Sequence, residues 1–371
     1  MPQAMAHGGF YDHHSEYQMR GALSHAELVR AAADRIAPDA ARVAVVVADY
    51  GCAQGRVSNA LIRVALERLR GAHPEVPVFV YHNDLLTNDW AALIEHLRAE
   101  DSYLRIEGGP ITPLLSAVSF YEPVTPPRIV DLGLSFAAIQ WLSGPGPAGC
   151  GTALYFDQLE GAPRQAMAAQ AHADWTRFLD LRADELAPGG RLVLDMMGVP
   201  EDGRAAGHDL WRHMRLICAG LSDEGRIDPD RLDRYVLPVY ERSLDEVRRP
   251  FEEAVGRRLR LEDVALRAVG NPMADRFRED GDAAAFARDF TGFVRAWSEP
   301  SLAEALGLDG ATVDELYRRL ESQLRHDARD FVFEVHAITA VIERRDESRR
   351  RTVGARSRPA SSPTPHGGSS R

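Results

Sequence analysis

Two aspartates stand at the ends of apolar runs, Asp49 closing RVAVVVAD and Asp84 just beyond VPVFVYH. After the first comes the pattern Asp49-x-Gly51-x-x-x-Gly55, an acid followed by a bare turn and the start of a helix. Glycines let a backbone approach a ligand closely, and a helix N-terminus offers unpaired N–H groups to a carboxylate or phosphate. A dinucleotide site would read G-x-G-x-x-G with an acid about twenty residues on. Here the glycine spacing differs, and Asp84 follows Gly55 by about thirty residues. A carboxylate there can take both hydroxyls of a ribose while Leu85 covers an adenine face. This suits adenosine without a pyrophosphate, as in S-adenosylmethionine. NAD, or no ligand at all with a tight turn and a helix cap, are the competing readings.

Such residues need a sheet edge to stand on. Arg42 to Asp49 is continuously apolar between charged ends, as expected of a central parallel strand covered on both faces. Ser58 to Arg70 reads as an amphipathic helix and Val76 to His82 as a second buried strand, a βαβ unit. Further strands are predicted at Arg128 to Leu134 and Arg191 to Met196, the latter entered through the turn Pro188-Gly189-Gly190 after a helix around Asp174 to Glu185. The pattern is helical from Asp209 to about Tyr235. Strand signals return at Leu259 to Val269 and Phe331 to Ile342, the last preceded by a helix from about Val313 to His326. The expectation is an α/β sheet interrupted by a mostly helical insertion, with a disordered Arg-, Ser- and Pro-rich tail from about Arg345.

A chain of 371 residues, 45% of them hydrophobic, can bury a large core. Its 44 basic residues are all arginine, scattered under a net charge of -11, so nucleic acid is not an expected partner. Cys52, Cys150 and Cys218 form no CxxC pair, which disfavours disulfides and zinc and fits a reducing cytoplasm. The N-terminus lacks the features of a signal peptide and no apolar run is long enough to span a membrane, so a soluble cytoplasmic protein is expected. His7, His13 and His14 sit in a polar terminus rather than at a metal-site spacing. His172, Arg212 and His213 read equally as partners for a substrate anion or as a solvated helix face.

Several segments, in order, resemble the SABATH family of carboxyl methyltransferases, which includes salicylate, benzoate, jasmonate and indole-acetate methyltransferases and the caffeine-pathway N-methyltransferases. Tyr11 to Gln18 resembles Y-A-x-N-S-x-x-Q, Asp49 to Gly55 resembles D-L-G-C-S-S-G, and Asn83-Asp84-Leu85 with Asn88-Asp89 resembles N-D-L-P-x-N-D-F. Ser119-Phe120-Tyr121 matches S-F-Y, and Gln140 to Ser143 resembles H-W-L-S. Asp184-Glu185-Leu186 with Pro188-Gly189-Gly190 resembles S-E-E-L-V-P-G-G, and Leu237 to Val247 resembles I-P-x-Y-x-P-S-x-x-E-V. The likeness, to a bacterial-type member, runs from about residue 10 to 345.

The resemblance implies a seven-stranded Rossmann-like class I methyltransferase sheet with a mostly helical cap. It divides the chain into a core with an N-terminal lid segment over 1–205, a cap over 206–257 with parts of 271–310, remaining core over 258–344 and a tail over 345–371. It implies that Ser15, Asp49, Gly51, Gly55, Asp84, Leu85, Ser119 and Phe120 hold S-adenosylmethionine, with Ser135 beside the sulfonium. Gln18 and Trp141 would grip the substrate, Tyr11 would sit near the transferred methyl, and Trp211 would form pocket wall. Three departures stand out: Val57 replaces a methionine-binding asparagine, with Ser58 and Asn59 adjacent, Ala137 replaces a tyrosine, and Gln140 replaces a pocket histidine.

Gln18 and Trp141 donate hydrogen bonds without titrating, which fits an acceptor already ionised at pH 7, a carboxylate of pKa near about 4.3 rather than a phenol near about 10. The expected activity is therefore methyl-ester formation on a small-molecule carboxylic acid. The alternatives are N-methylation, C-methylation of an isoprenoid diphosphate with magnesium and an acid such as Asp157 or Glu160, and a silent S-adenosylmethionine-binding partner. No metal is expected under the leading reading. Pocket shape would depend on cap side chains such as Met214 and Phe293, and whether the chain forms a homodimer stays open.

Overall fold

Val45–Tyr50, strand β1, is buried at every residue, because an uninterrupted apolar run has to be covered on both faces. It pairs in parallel with β2 (Val78–Asp84) and β4 (Val130–Ser135). With β3 (Ile111–Ala117), β5 (Leu186–Gly198), β6 (Leu259–Val269) and β7 (Val335–Arg344), they form one sheet of order β3-β2-β1-β4-β5-β7-β6. Only β7 runs antiparallel to its neighbours. This computed structural model describes residues 5, 6, 8, 10–39, 42–147, 153–201 and 203–346, without the side chains of Tyr11 and His13. His7, Cys150 and the tail beyond Asp346 lie outside the described residues.

The helices are α1 (Phe10–His13), α2 (Glu16–Leu23), α3 (Ala26–Ala33), α4 (Arg56–Ala72), α5 (Trp90–Arg98), α6 (Gly161–Glu185), α7 (His208–Asp223), α8 (Pro229–Asp233), α9 (Leu244–Glu252), α10 (Pro272–Asp280), α11 (Ala283–Leu306) and α12 (Gly310–Asp327). Leu61, Ile62 and Leu66 of α4 pack with Val47 and Val80 on one face of the sheet. Trp175, Phe178 and Leu179 of α6 pack with Val46, Tyr50 and Leu192 on the other. A third cluster joins Leu210 and Trp211 of α7, Phe290 of α11 and Leu316 of α12 to Tyr17 of α2, making a helical cap. Each large apolar side chain so buried contributes about 1.5–3 kcal/mol. The expected Rossmann-like sheet with a helical cap is the observed architecture. No helix among the described residues is long and apolar enough to cross a membrane.

Three local points differ from the sequence reading. Strand β3 gave no sequence signal because it is a partly exposed edge carrying Pro113, which cannot donate to a ladder. Strand β7 starts at Val335 rather than Phe331, whose ring packs edge-on against Phe290, 5.1 Å away in the cap. The Pro188-Gly189-Gly190 turn lies within β5, where the register against β4 shifts, and Gly189 takes φ +78° there. Helix α9 packs Val247 in the sheet cluster with Trp175.

Candidate active site

At the carboxyl end of β1 the chain turns through Gly51, at φ +87°, and a Cβ there would lie 2.5 Å from the Ala138 Cβ. Only glycine lets these two loops touch. Gly55, at φ +102°, begins α4, and its Cβ would meet Leu93 Cδ1 at 2.5 Å. Two cavities adjoin over this turn, both bordered by Gly51, Ala53 and Phe136. One, of about 660 Å³, is lined by Asp84, Leu85, Ser119 and Phe120. The other, of about 500 Å³, is lined by Asp49, Asp12, Arg56 and Ser58.

Asp84 Oδ2 accepts the Ala53 N–H at 2.7 Å and Oδ1 the Leu85 N–H at 2.8 Å. Burial nevertheless raises its pKa to about 6. Burial raises Asp49 to about 7, against a hydrogen bond from Ser58 and with help from the Asp84 charge. A buried carboxylate beside a half-buried one is costly unless a ligand supplies further donors. S-Adenosylmethionine carries donors of that kind in its ribose hydroxyls and its ammonium.

Of the serines expected beside the cofactor, Ser119 lines the crevice, whereas Ser15 and Ser135 do not. Both are fully buried, Ser15 Oγ donating to the Asp12 carbonyl at 2.9 Å and Ser135 Oγ to the Tyr50 carbonyl at 2.7 Å. The sequence reading missed Asp12, whose carboxylate lies 2.6 Å from His96 Nε2 while its N–H donates to Gln54 Oε1 at 3.2 Å. It also missed Phe136 on the crevice wall.

A larger cavity of about 880 Å³ opens from this crevice under the cap. Ala137 borders all three spaces, Gln18 joins the new cavity to the Asp49 side, and Trp141 joins it to the Asp84 side. The amide Oε1 of Gln18 is buried and has no hydrogen-bond partner among the described residues. The walls are largely aromatic: Trp211, fully buried and stacked on Tyr155 at 5.2 Å, with Phe293, Trp297 and Phe333. Gln140 lines the cavity as expected, whereas Met214 is buried in the cap core and does not.

Ala137 has φ +50°, unusual for a residue with a Cβ. Its N–H donates to Asp195 Oδ1 at 2.6 Å and its carbonyl accepts from Gln140 Nε2 at 2.7 Å. Asp195, which also lines the cavity, was not anticipated. An acid inside the apolar run RLVLDMM was the available signal.

The Tyr11 side chain lies outside the described residues. His172, Arg212 and His213 do not line the acceptor cavity, nor do Asp157 and Glu160. His213 pairs with Asp327 at 3.3 Å and Asp157 with His208 at 2.7 Å. Among the described residues no group of three or more His, Cys, Asp or Glu side chains is placed to hold a metal ion.

The model of the SAM-dependent carboxyl methyltransferase family matches residues 6–345. A 3,7-dimethylxanthine N-methyltransferase of Camellia sinensis var. assamica is 29% identical over 290 residues, covering 73% of this chain and 75% of the relative. Gibberellic acid methyltransferase 1 of Arabidopsis thaliana is 25% identical over 291 residues, covering 71% and 75%. The solved structure of a loganic acid methyltransferase with SAH superposes with a TM-score of 0.76 at 19% identity, covering 94% of this chain and 99% of that one, a likeness of fold. The chain belongs to the SAM-dependent carboxyl methyltransferase family.

Proposed function

We propose that this S-adenosylmethionine-dependent methyltransferase esterifies a small-molecule carboxylate, oriented by the Gln18 amide and the Trp141 indole N–H. The observation that carries this reading is the Gln18 amide, buried and unsatisfied at one end where the crevice and the acceptor cavity meet. A side-chain amide can turn over to present its N–H₂ group. A carboxylate oxygen at that junction would receive it.

When bound, S-adenosylmethionine supplies a methyl carbon made electrophilic by a cationic sulfur. Asp84 would hold the ribose hydroxyls, Leu85 and Phe120 would face the adenine, and Asp49 would take the ammonium. Gln18 and Trp141 would hold the acceptor in line, and such positioning supplies about 7–11 kcal/mol of a displacement barrier. No proton has to be removed from an acid of pKa near about 4.3 at pH 7. The aromatic walls exclude water, so the approach of anion and cation is not screened, and charge cancels during transfer. The wall formed by Trp211, Phe293 and Trp297 favours an acid with an apolar body.

The family's description and the name of the gibberellic acid relative support an oxygen acceptor, while the dimethylxanthine relative makes nitrogen the alternative to test. Incubation with methyl-labelled cofactor and a panel of carboxylic acids, N-heterocycles and isoprenoid diphosphates decides between them. The expected result is a base-labile methyl ester from an acid, formed equally with a chelator present. Label appearing only on a heterocycle or a diphosphate refutes the carboxylate reading.

A further inference from the structure

Asp195 is a buried acid facing the acceptor cavity that the transfer just described does not use. It stands near the carboxyl end of β5. Oδ1 accepts the Ala137 N–H at 2.6 Å, and Oδ2 lies 3.5 Å from His25 Nε2, its one ion-pair partner among the described residues. His25 is itself buried, and burial together with the Arg267 charge lowers its pKa to about 4, so at neutral pH it brings no positive charge. Gln140, 5% exposed and also on the cavity lining, adds a second acceptor: its Nε2 is committed to the Ala137 carbonyl, which leaves Oε1 buried without a hydrogen-bond partner among the described residues. Two side chains anchored on the same residue thus border a cavity that Gln18 and Trp141 also line and whose remaining walls are mostly apolar or aromatic. Buried acceptors are satisfied in functioning proteins, and a ligand that supplies the donor gains what a ligand lacking it forfeits.

We propose that Asp195 and Gln140 Oε1 form a second recognition subsite in the acceptor cavity, taking a hydroxyl or N–H donor carried by the substrate beside the group that is methylated. Resting on the carboxylate reading above, this narrows the substrate class to hydroxy- or amino-substituted carboxylic acids with an apolar skeleton. The competing account is that Asp195 only braces the Ala137 turn. Asp195→Asn separates the two, since the amide oxygen can still accept the Ala137 N–H while the other atom becomes a donor.

The test uses matched acids that differ only in bearing a hydroxyl or amine, a methyl ether, or hydrogen at one position. Turnover is followed by release of demethylated cofactor, and binding by the melting-temperature increment in the presence of SAH. The wild type should prefer the donor-bearing member by about 10- to 100-fold in kcat/KM. In Asp195→Asn that ratio should fall to about one or below, the ether gaining, with SAH affinity retained. A wild type that treats the matched acids alike overturns the subsite and leaves the esterification reading intact, and this outcome needs no variant to fold. An unchanged ratio in Asp195→Asn assigns Asp195 to bracing alone and also overturns the subsite. Methylation of N-heterocycles with no acid accepted overturns the esterification reading, and the subsite with it.

Discussion

Replacing Asp84 by asparagine tests the cofactor assignment most directly, because it keeps the shape of the side chain and removes the charge. In the proposed complex two ribose hydroxyls donate to a carboxylate that already accepts the Ala53 and Leu85 N–H groups at 2.7 and 2.8 Å. A hydrogen bond to a charged acceptor contributes about 1.5–3 kcal/mol and one to a neutral acceptor about 0.5–1.5 kcal/mol. The amide has only one accepting oxygen, so one hydroxyl loses its partner and the other is weakened. The net loss is about 2–4 kcal/mol, roughly 30- to 1,000-fold in Kd. The new N–H₂ group also faces a backbone N–H, which costs the fold about 1–3 kcal/mol, so the melting temperature should drop as well. Isothermal titration with SAH at pH 8, well below the variant's melting temperature, measures the effect. A folded Asp84→Asn protein whose Kd stays within about threefold of wild type would refute the ribose assignment.

Three further outcomes follow from the same geometry. Burial raises Asp84 to about 6 and Asp49 to about 7 in the unliganded protein, whereas the donors of the cofactor would keep both ionised, so binding expels protons. Affinity for SAH should therefore fall as pH drops from 8 through these values towards 5, and a flat profile over that range rules out coupling to these acids. For the unliganded fold the sign reverses. Both acids are raised above their ordinary value, so their contribution to stability is full below the ordinary carboxylate range and is lost as pH rises through about 6 to 7. Gln18→Ala should lower kcat/KM for the accepted acid by about 10- to 150-fold while moving SAH affinity much less. Equal losses in both would place Gln18 in cofactor binding instead.

What was legible in the sequence was whatever is written locally. The unbroken apolar run before Asp49 and the glycines after it announced β1 and its turn, and six of the seven strands carried an apolar signal. The edge strand β3 did not, since it is half exposed and holds a proline where a central strand could not. The site divides in the same way. Asp84, Gln18 and Trp141 could be matched to family segments, and they do converge on the crevice and its cavity. Asp195 could not, because what it touches is decided by the meeting of β5 with residues 25 and 137, contacts that no stretch of sequence displays. The family resemblance places the hydroxyls of Ser15 and Ser135 at the cofactor. Nearby carbonyls take them, as buried hydroxyls require.

The backbone on which ligands would sit carries strain, and the acids proposed to hold the ligands also hold the strain. Ala53 and Ala137 border the crevice with φ of 46° and 50°, and such conformations cost a non-glycine residue about 1–2 kcal/mol. Each is clamped at both polar ends. The Ala53 N–H goes to Asp84 and its carbonyl receives Asn88 Nδ2, while the Ala137 N–H goes to Asp195 and its carbonyl receives Gln140 Nε2. A bond to a carboxylate contributes about 1.5–3 kcal/mol and one between neutral groups about 0.5–1.5 kcal/mol, so each pair outweighs the strain it holds. In the proposed complex, Asp84 on the cofactor side and Asp195 on the acceptor side would each serve a turn and a ligand with one carboxylate. Alanine at either position removes both functions together. Loss of activity in such a variant says nothing about which function failed, and only the amide isosteres, which keep an oxygen for the turn, can assign the ligand's share.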